Sequence, residues 1–484
     1  MSFTIGFPLS RRSLIKAVSA GVATLSAPGI LTNTAHAIET REFALRAAPG
    51  QANLRPGAGG QTAIWSYNGA VPGPEIRVRQ GERLRITVQN ELAEETTVHW
   101  HGVRLPNAMD GVPHLTQRPI ASGASFVYEF DAVDAGTFWY HPHQRSFEQV
   151  GRGLYGALIV EETEPLHVDR DVTWVLDDWR LSRSAEISND FGNGHDMSHG
   201  GRVGNTVTIN GAVPDEFAVR SGERIRLRLI NAANARIFAL EFPGHRPSII
   251  ALDGQPVTPH EPESGLVALG PAMRVDLVLD MFGEPGSLTS ITDRFYKGLE
   301  YRLIDLAYGS IPIRETVPDW PIALPANPLP EPDTGAAHHH DVFFNGGMMG
   351  QMVMREMGGS MGQGGSGGMM NMMRGGGIWF INGRAAEGHV LEPMLTLARG
   401  EHHVFAMTNA TAWHHPMHLH GHSFRVISRN GASTAHAEWQ DTVLVAPREK
   451  VEIAFVADNP GDWMFHCHIL EHQAAGMMGV VRVT

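Results

Sequence analysis

The chain has 484 residues, of which 42% are apolar and 18% charged. That is ample material for buried cores and too little charge for a disordered chain. A formal net charge of −13 excludes a general nucleic-acid binder, and the lone cysteine, Cys467, excludes an intrachain disulfide.

Residues 1–37 read as an export address. Ser10-Arg11-Arg12-Ser13-Leu14-Ile15-Lys16 is a twin-arginine pattern, followed by the apolar stretch Ala17–Pro28 and by Ala35-His36-Ala37. A signal removed after Ala37 engages the twin-arginine (Tat) export machinery and delivers a periplasmic protein. No later stretch is long and apolar enough to span a membrane, so a soluble monomer is expected.

The rest reads as three copies of one unit. With 54 Gly and 30 Pro, the composition favours a turn-rich all-β fold. Gly81-Glu82, Gly222-Glu223 and Gly400-Glu401 are each followed by Asn nine residues after the Gly, at Asn90, Asn231 and Asn409. Each copy is preceded by Asn-Gly, at Asn68-Gly69, Asn210-Gly211 and Asn382-Gly383. Stretches such as Leu84-Arg85-Ile86-Thr87-Val88 alternate as strands do. Each copy is long enough for one Greek-key β-sandwich. The expected domains are 38–163, 164–310 and 337–484, with a Pro-rich linker over 311–336 acting as a strap.

Copies one and three carry two His-x-His pairs each. These are His99/His101 and His141/His143 in copy one, then His418/His420 and His466/His468 in copy three. Copy two has Leu240 and Phe242 where the first pair would fall, so it reads as a spacer between the other two. On a strand, residues i and i+2 face the same side, so each pair points two imidazoles into one space. Histidine is the commonest protein metal ligand, and the chain has 26 histidines and 21 methionines. One pair alone would be weak evidence; four at matched positions indicate metal.

The last pair encloses the only cysteine, in His466-Cys467-His468. Alternation sends the sulfur to one face and both imidazoles to the other. A blue-copper site needs two His, one Cys and a weak axial Met. His415, His472 and Met477 supply the rest. Eight histidines then remain, enough for three coppers at two, three and three ligands. Four coppers store the four electrons that turn dioxygen into two waters.

On these four motifs the chain resembles the bacterial three-domain multicopper oxidases, and within them the periplasmic cuprous oxidases of copper tolerance. The resemblance implies three consecutive cupredoxin-like domains and four copper ions. It implies a type 1 copper held by His415, Cys467, His472 and Met477, which takes electrons from Cu(I) or small organic reductants. By resemblance, His99 and His418 bind a type 2 copper. His101, His141, His143, His420, His466 and His468 bind a type 3 pair. Asp110 matches an acid near the cluster that assists proton supply, with a plain Asp-Gly turn as the alternative. Asp441 matches an acid near the type 1 site that contacts substrate, with a surface salt bridge as the alternative. Gln473 departs from the family, where a carboxylate often follows this type 1 histidine.

Residues 346–377 form an insertion rich in Gly and Met. Thioether is a soft ligand that prefers Cu(I), so copper capture is the expectation. His338-His339-His340 reads as a polar strand start rather than a copper site, and His195, Met197 and His199 are given no role beyond weak copper binding. The competing readings are a laccase-like phenol or Mn(II) oxidase and a non-catalytic copper-sequestering scaffold.

Overall fold

Asn90, Asn231 and Asn409 close three equivalent strands, Arg83–Asn90, Arg224–Asn231 and His402–Asn409. Each Asn is fully buried and works in the same way. Its amide NH₂ donates to two carbonyls of the following turn and a crossing segment: Glu94 and Ile120, Arg236 and Leu269, or Trp413 and Val445. Its side-chain oxygen accepts the N–H two residues on. An Asn side chain offers both donors and an acceptor, which this junction needs. The Asn-Gly pairs recur equally. Both residues of each pair have positive φ, the geometry of a tight hairpin turn.

The computed structural model describes residues 39–484, except 56, 58–59, 358–376, 387, 389–391 and 437. The expected signal at 1–37 and most of the methionine-rich insertion lie outside the described residues. In each copy the Asn-terminated strand lies parallel to the strand that opens the copy, with Ala47 opposite Asn90, Leu176 opposite Asn231 and Phe344 opposite Asn409. Among the described residues six sheets result, of four, four, six, five, seven and five strands, two for each copy. The fold is all-β, with strands over 40–161, 170–308 and 338–483. No helix among the described residues is long and apolar enough to cross a membrane.

The cores show how the copies are joined. One continuous apolar cluster runs from Leu84 and Phe138 of the first sandwich into Phe405, Phe465 and Cys467 of the third. The second sandwich has its own core, which contains Leu240 and Phe242. Apolar side chains thus fill, in copy two, the positions that carry histidines elsewhere.

Strand Arg224–Asn231 alternates Arg with apolar residues over Arg224–Leu229, yet it is buried on both faces. Arg226 pairs with Glu162 and Asp276, while Arg228 pairs with Asp171 and Asp276 and donates to Thr137. The polar face of this sheet is covered by the first sandwich, and full ionic pairing makes that burial tolerable.

Residues 315–333 carry no helix or strand. Arg314 pairs with Asp169, and Trp320 stacks on His167 at 3.7 Å. Asn327 donates to Ala135 and Gln255, and Glu331 pairs with Arg425. The strap therefore touches all three sandwiches.

Candidate metal centre

Cys467 ends the strand Gly461–Cys467, and His415 opens the strand His415–Leu419 beside it. His472 lies on the short helix Leu470–Ala474 that follows. Cys467 Sγ is 3.5 Å from His415 Nδ1 and 3.7 Å from His472 Nδ1. The two Nδ1 atoms are 3.2 Å apart. Met477 is buried, and its carbonyl accepts the Cys467 N–H at 3.0 Å.

On the other side of Cys467, the eight remaining histidines converge. His101, His141 and His468 form one group and His143, His420 and His466 another. His99 and His418 adjoin His101 in a third. Every group mixes histidines of the first and third sandwiches. His99 pairs with His141 across antiparallel strands, and His418 pairs with His466 in the third sandwich. The pleat thus aims imidazoles from four strands into one buried space.

The hydrogen bonds decide what this space can hold. A carbonyl only accepts, so the ring nitrogen facing it carries the proton. His99 Nδ1–H donates to Asp110 O and His418 Nδ1–H to Asp441 O, both at 2.8 Å. His466 Nδ1–H donates to Cys467 O at 2.9 Å, and His472 Nε2–H to His199 O at 2.5 Å. His420 Nδ1–H donates to the Asp110 carboxylate at 2.9 Å. His420 Nε2 and His466 Nε2 are therefore both bare lone pairs, and they face each other at 3.1 Å. With the ring protons so assigned, none lies between them, and a bound cation would relieve the repulsion. His99 Nε2, His101 Nδ1, His143 Nε2 and His418 Nε2 are buried without any partner. These residues fit metal ions, each imidazole oriented from behind.

Burial reinforces this. It pushes His466 and His472 down to about 3, and His101, His141, His143, His415, His420 and His468 well below the ordinary imidazole value. Neutral imidazoles are the ligating form. Burial pushes the Cys467 thiol up, so a thiolate there requires a bound cation.

These imidazole groups and a His-Cys-His thiolate site coincide with three multicopper oxidase family profiles, which match residues 50–165, 170–286 and 367–484. Multicopper oxidase MmcO of Mycobacterium tuberculosis is 32% identical over 452 residues, 85% of this chain and 81% of that protein. The chain belongs to the multicopper oxidases. It is accordingly a copper-binding oxidoreductase that uses dioxygen as acceptor. A multi-copper oxidase structure from Pseudomonas thermotolerans matches with a TM-score of 0.81 at 34% identity, covering 93% of this chain and all of that one. A Campylobacter jejuni multicopper oxidase, described as a metallo-oxidase, matches at 0.75 and 28% identity, covering 95% of this chain and 94% of that one.

The two expected acids are placed differently. Asp110 lies in the eight-histidine space, with its carboxylate on His420 and its carbonyl on His99. It also caps a turn, and Gly111 beside it has φ +79°. A Cβ there would stand 1.9 Å from the Val98 carbonyl, so the backbone reaches His99 only with glycine.

Asp441 requires correction. It is neither beside the thiolate group nor in a surface salt bridge. It is buried, and it accepts from His101 Nε2 at 3.1 Å, with Oδ1 3.4 Å from His418 Nδ1. Strand register explains this. Thr442 lies opposite His418, whereas His415 lies opposite Val445, three residues or about 10 Å further along.

The second sandwich is also more than a spacer. Its Arg274 grips Asp441, and its Asp253 accepts the Asp441 and Thr442 backbone N–H groups. Burial and neighbouring Asp441 push the Asp253 carboxyl up to about 7. Burial opposes ionisation of Asp441, and the Arg274 charge overcomes it. Gly102 makes room for this pair, since a Cβ there would meet Arg274 Nη2 at 2.2 Å and Asp441 Oδ2 at 2.3 Å. Neither Arg274 nor Asp253 stands in a recognisable motif. His199, given no role from sequence beyond weak copper binding, supplies the carbonyl that holds His472.

Gln473 donates toward His143 Nδ1 at 3.4 Å and accepts from Ser146 Oγ at 3.3 Å. His338 opens the strand His338–Gly346, the polar strand start expected.

Proposed function

We propose that this protein oxidises Cu(I) to Cu(II) in the periplasm, in copper tolerance, after export by the Tat pathway. Four coppers serve it. His415, Cys467, His472 and Met477 would hold the first, and His99 and His418 the second. His101, His141 and His468 would hold the third, and His143, His420 and His466 the fourth. When bound, these ions take electrons singly from substrate and give four to dioxygen. Four Cu(I), one dioxygen and four protons then yield four Cu(II) and two waters.

The chain's own residues do the rest. Cys467 lies directly between His466 and His468, a short covalent route from the thiolate group to the eight-histidine space. The Asp110 carboxylate, hydrogen-bonded to His420 Nδ1, would hand protons to the space where water forms. Asp441 holds the proton on His101 Nε2 and leaves Nδ1 bare.

The approach to His472 supports Cu(I) as substrate. Met348 N–H donates to the Ser198 carbonyl at 2.8 Å, one residue from His199. Trp379 Nε1–H donates to Met197 O, and the Trp379 ring lies 4.2 Å from the His472 ring. The methionine segment thus starts against the thiolate group. Met348, Met349, Met352 and Met357, among the first residues of that segment, are exposed. Soft thioethers favour Cu(I) over harder ions. The metallo-oxidase description of the Campylobacter jejuni relative supports the same reading.

One observation favours a second reading, a laccase-like oxidase of organic reductants. A cavity of about 820 Å³ is lined by His199, whose carbonyl holds His472, and by Phe295, Tyr296, Trp413 and Ile469. An aromatic ring would fit there.

Oxygen uptake by the copper-loaded protein separates the readings, with Cu(I) and then a simple phenol, and with free-copper oxidation subtracted. Fast uptake with Cu(I) is expected. Deleting Gly346–Gly377 is expected to lower it and to raise phenol oxidation. Faster uptake with the phenol in the intact protein would reverse the assignment. No uptake with either would leave a copper-sequestering scaffold.

A further inference from the structure

Asn409 closes its strand as Asn90 and Asn231 close theirs, yet the third copy adds a group the others lack. The residue two positions on is Leu92 in copy one and Ala233 in copy two, and its backbone N–H donates to the Asn side chain at 3.0 Å. In copy three it is Thr411, which makes the same backbone contact at 3.0 Å and brings a hydroxyl as well. Copies one and two form the junction without a hydroxyl, so the fold does not require one.

A hydroxyl has one proton to give and two lone pairs to accept with. Asn409 Nδ2 faces the carbonyls of Trp413, Val445 and Ala446, which fixes the amide orientation and leaves Oδ1 as an acceptor. Thr411 Oγ1 lies 2.7 Å from that Oδ1, so its proton goes there. The Trp413 carbonyl, at 3.1 Å from Oγ1, is the more distant acceptor and already takes the Asn409 amide. Two donors then meet the lone pairs of Oγ1. One is the Trp413 backbone N–H at 3.2 Å, and the other is His415 Nε2–H at 2.8 Å. Asn409, Thr411 and His415 have no solvent exposure, so bulk water does not compete for the imidazole proton. With that proton on Nε2, His415 Nδ1 is a bare lone pair, 3.5 Å from Cys467 Sγ and 3.2 Å from His472 Nδ1. His472 Nδ1 is bare too, because its Nε2–H is held by the His199 carbonyl.

We propose that Thr411 is a positioning residue for the thiolate site, holding the proton on His415 Nε2 and so aiming Nδ1 at a type 1 copper. This rests on the assignment of His415, Cys467, His472 and Met477 to one copper. A hydrogen bond accepted behind a ligating imidazole makes the ring a stronger donor, which favours Cu(II) over Cu(I). Thr411 therefore strengthens copper retention and lowers the reduction potential of the site.

The test compares the copper-loaded parent with Thr411→Val and Thr411→Ser, by redox titration of the blue band and by electron paramagnetic resonance. Thr411→Val, close in shape but without the hydroxyl, is expected to weaken copper retention at this site by about 10–100-fold and to raise its potential. Thr411→Ser keeps the hydroxyl and is expected to keep the parent's potential and hyperfine splitting. Melting temperatures of the copper-free proteins monitor the fold. If Thr411→Val does not fold, Thr411→Ala takes its place, since copy two already carries Ala233 at this junction. A valine variant with the parent's potential and spectra would overturn the proposal. Equal shifts in the valine and serine variants would do the same, because they would trace to side-chain bulk. A copper-loaded parent without a blue band would instead remove the copper assignment, and the proposal with it.

Discussion

Arg274 of the second sandwich meets both carboxylate oxygens of Asp441 in the third, Nη1 to Oδ1 at 2.8 Å and Nη2 to Oδ2 at 2.5 Å. Both residues are essentially without solvent contact. The carboxylate so held accepts from His101, and its backbone carbonyl accepts from His418. The middle sandwich therefore fixes the orientation of two imidazoles to which it contributes no ligand.

Removing Arg274 leaves a buried carboxylate unpaired. Arg274→Ala is expected to cost about 3–5 kcal/mol in denaturant unfolding. Arg274→Lys keeps the charge but not the two-pronged contact, so an intermediate loss is expected. Copper content per chain, measured alongside, should fall in the same order. Unchanged stability and copper content in Arg274→Ala would refute the role.

Asp110→Asn keeps a hydrogen-bonding group against His420 but removes the proton carrier. The blue chromophore should survive, because the thiolate group does not include this residue. Oxygen uptake should slow by about 10²–10⁴. Stopped-flow reduction and reoxidation would locate the loss in reoxidation. An equal slowing of both steps would count against Asp110 as the carrier.

Gln473 touches His143 and Ser146 but cannot release a proton. Gln473→Glu places a carboxyl there in a buried setting, where its pKa rises toward neutrality. Turnover is expected to increase most near neutral pH, as a second proton source becomes available. A pH–rate profile that superimposes on the parent's would contradict this.

The copper-free protein should lose stability as pH falls. Its ligand histidines stay neutral when folded, with His466 and His472 pushed down to about 3, whereas unfolded imidazoles protonate near 6.5. Below 6.5 the unfolded chain binds more protons, so unfolding is favoured down to about 3, and above 6.5 the effect vanishes. Denaturant midpoints at pH 7.5, 5.5 and 4.5 should fall in that order. A flat series would show that the histidines are not buried neutral.

The sequence by itself determined the repeated unit and the ten histidines and one cysteine that the structure groups. Both are local matters. An Asn that ends a strand and an Asn-Gly turn carry their geometry in their own side chains and dihedrals. A His-x-His pair is aimed by the pleat, whatever surrounds it. Cys467 faces away from His466 and His468 for the same reason.

Tertiary structure decided what depends on one surface meeting another. Alternation cannot reveal that Arg226 and Arg228, polar on paper, are buried under the first sandwich. Asp441 read as a neighbour of the thiolate group because it matched an acid near the type 1 site of the family resembled. Antiparallel register instead carries it to the far end of the His415–Leu419 strand, beside His418. Arg274, Asp253 and the His199 carbonyl bear no motif, because their partners lie 167, 188 and 273 residues away. Spacing along a strand is set by covalent geometry. Contact between domains is set by the fit of whole surfaces, which no short pattern encodes.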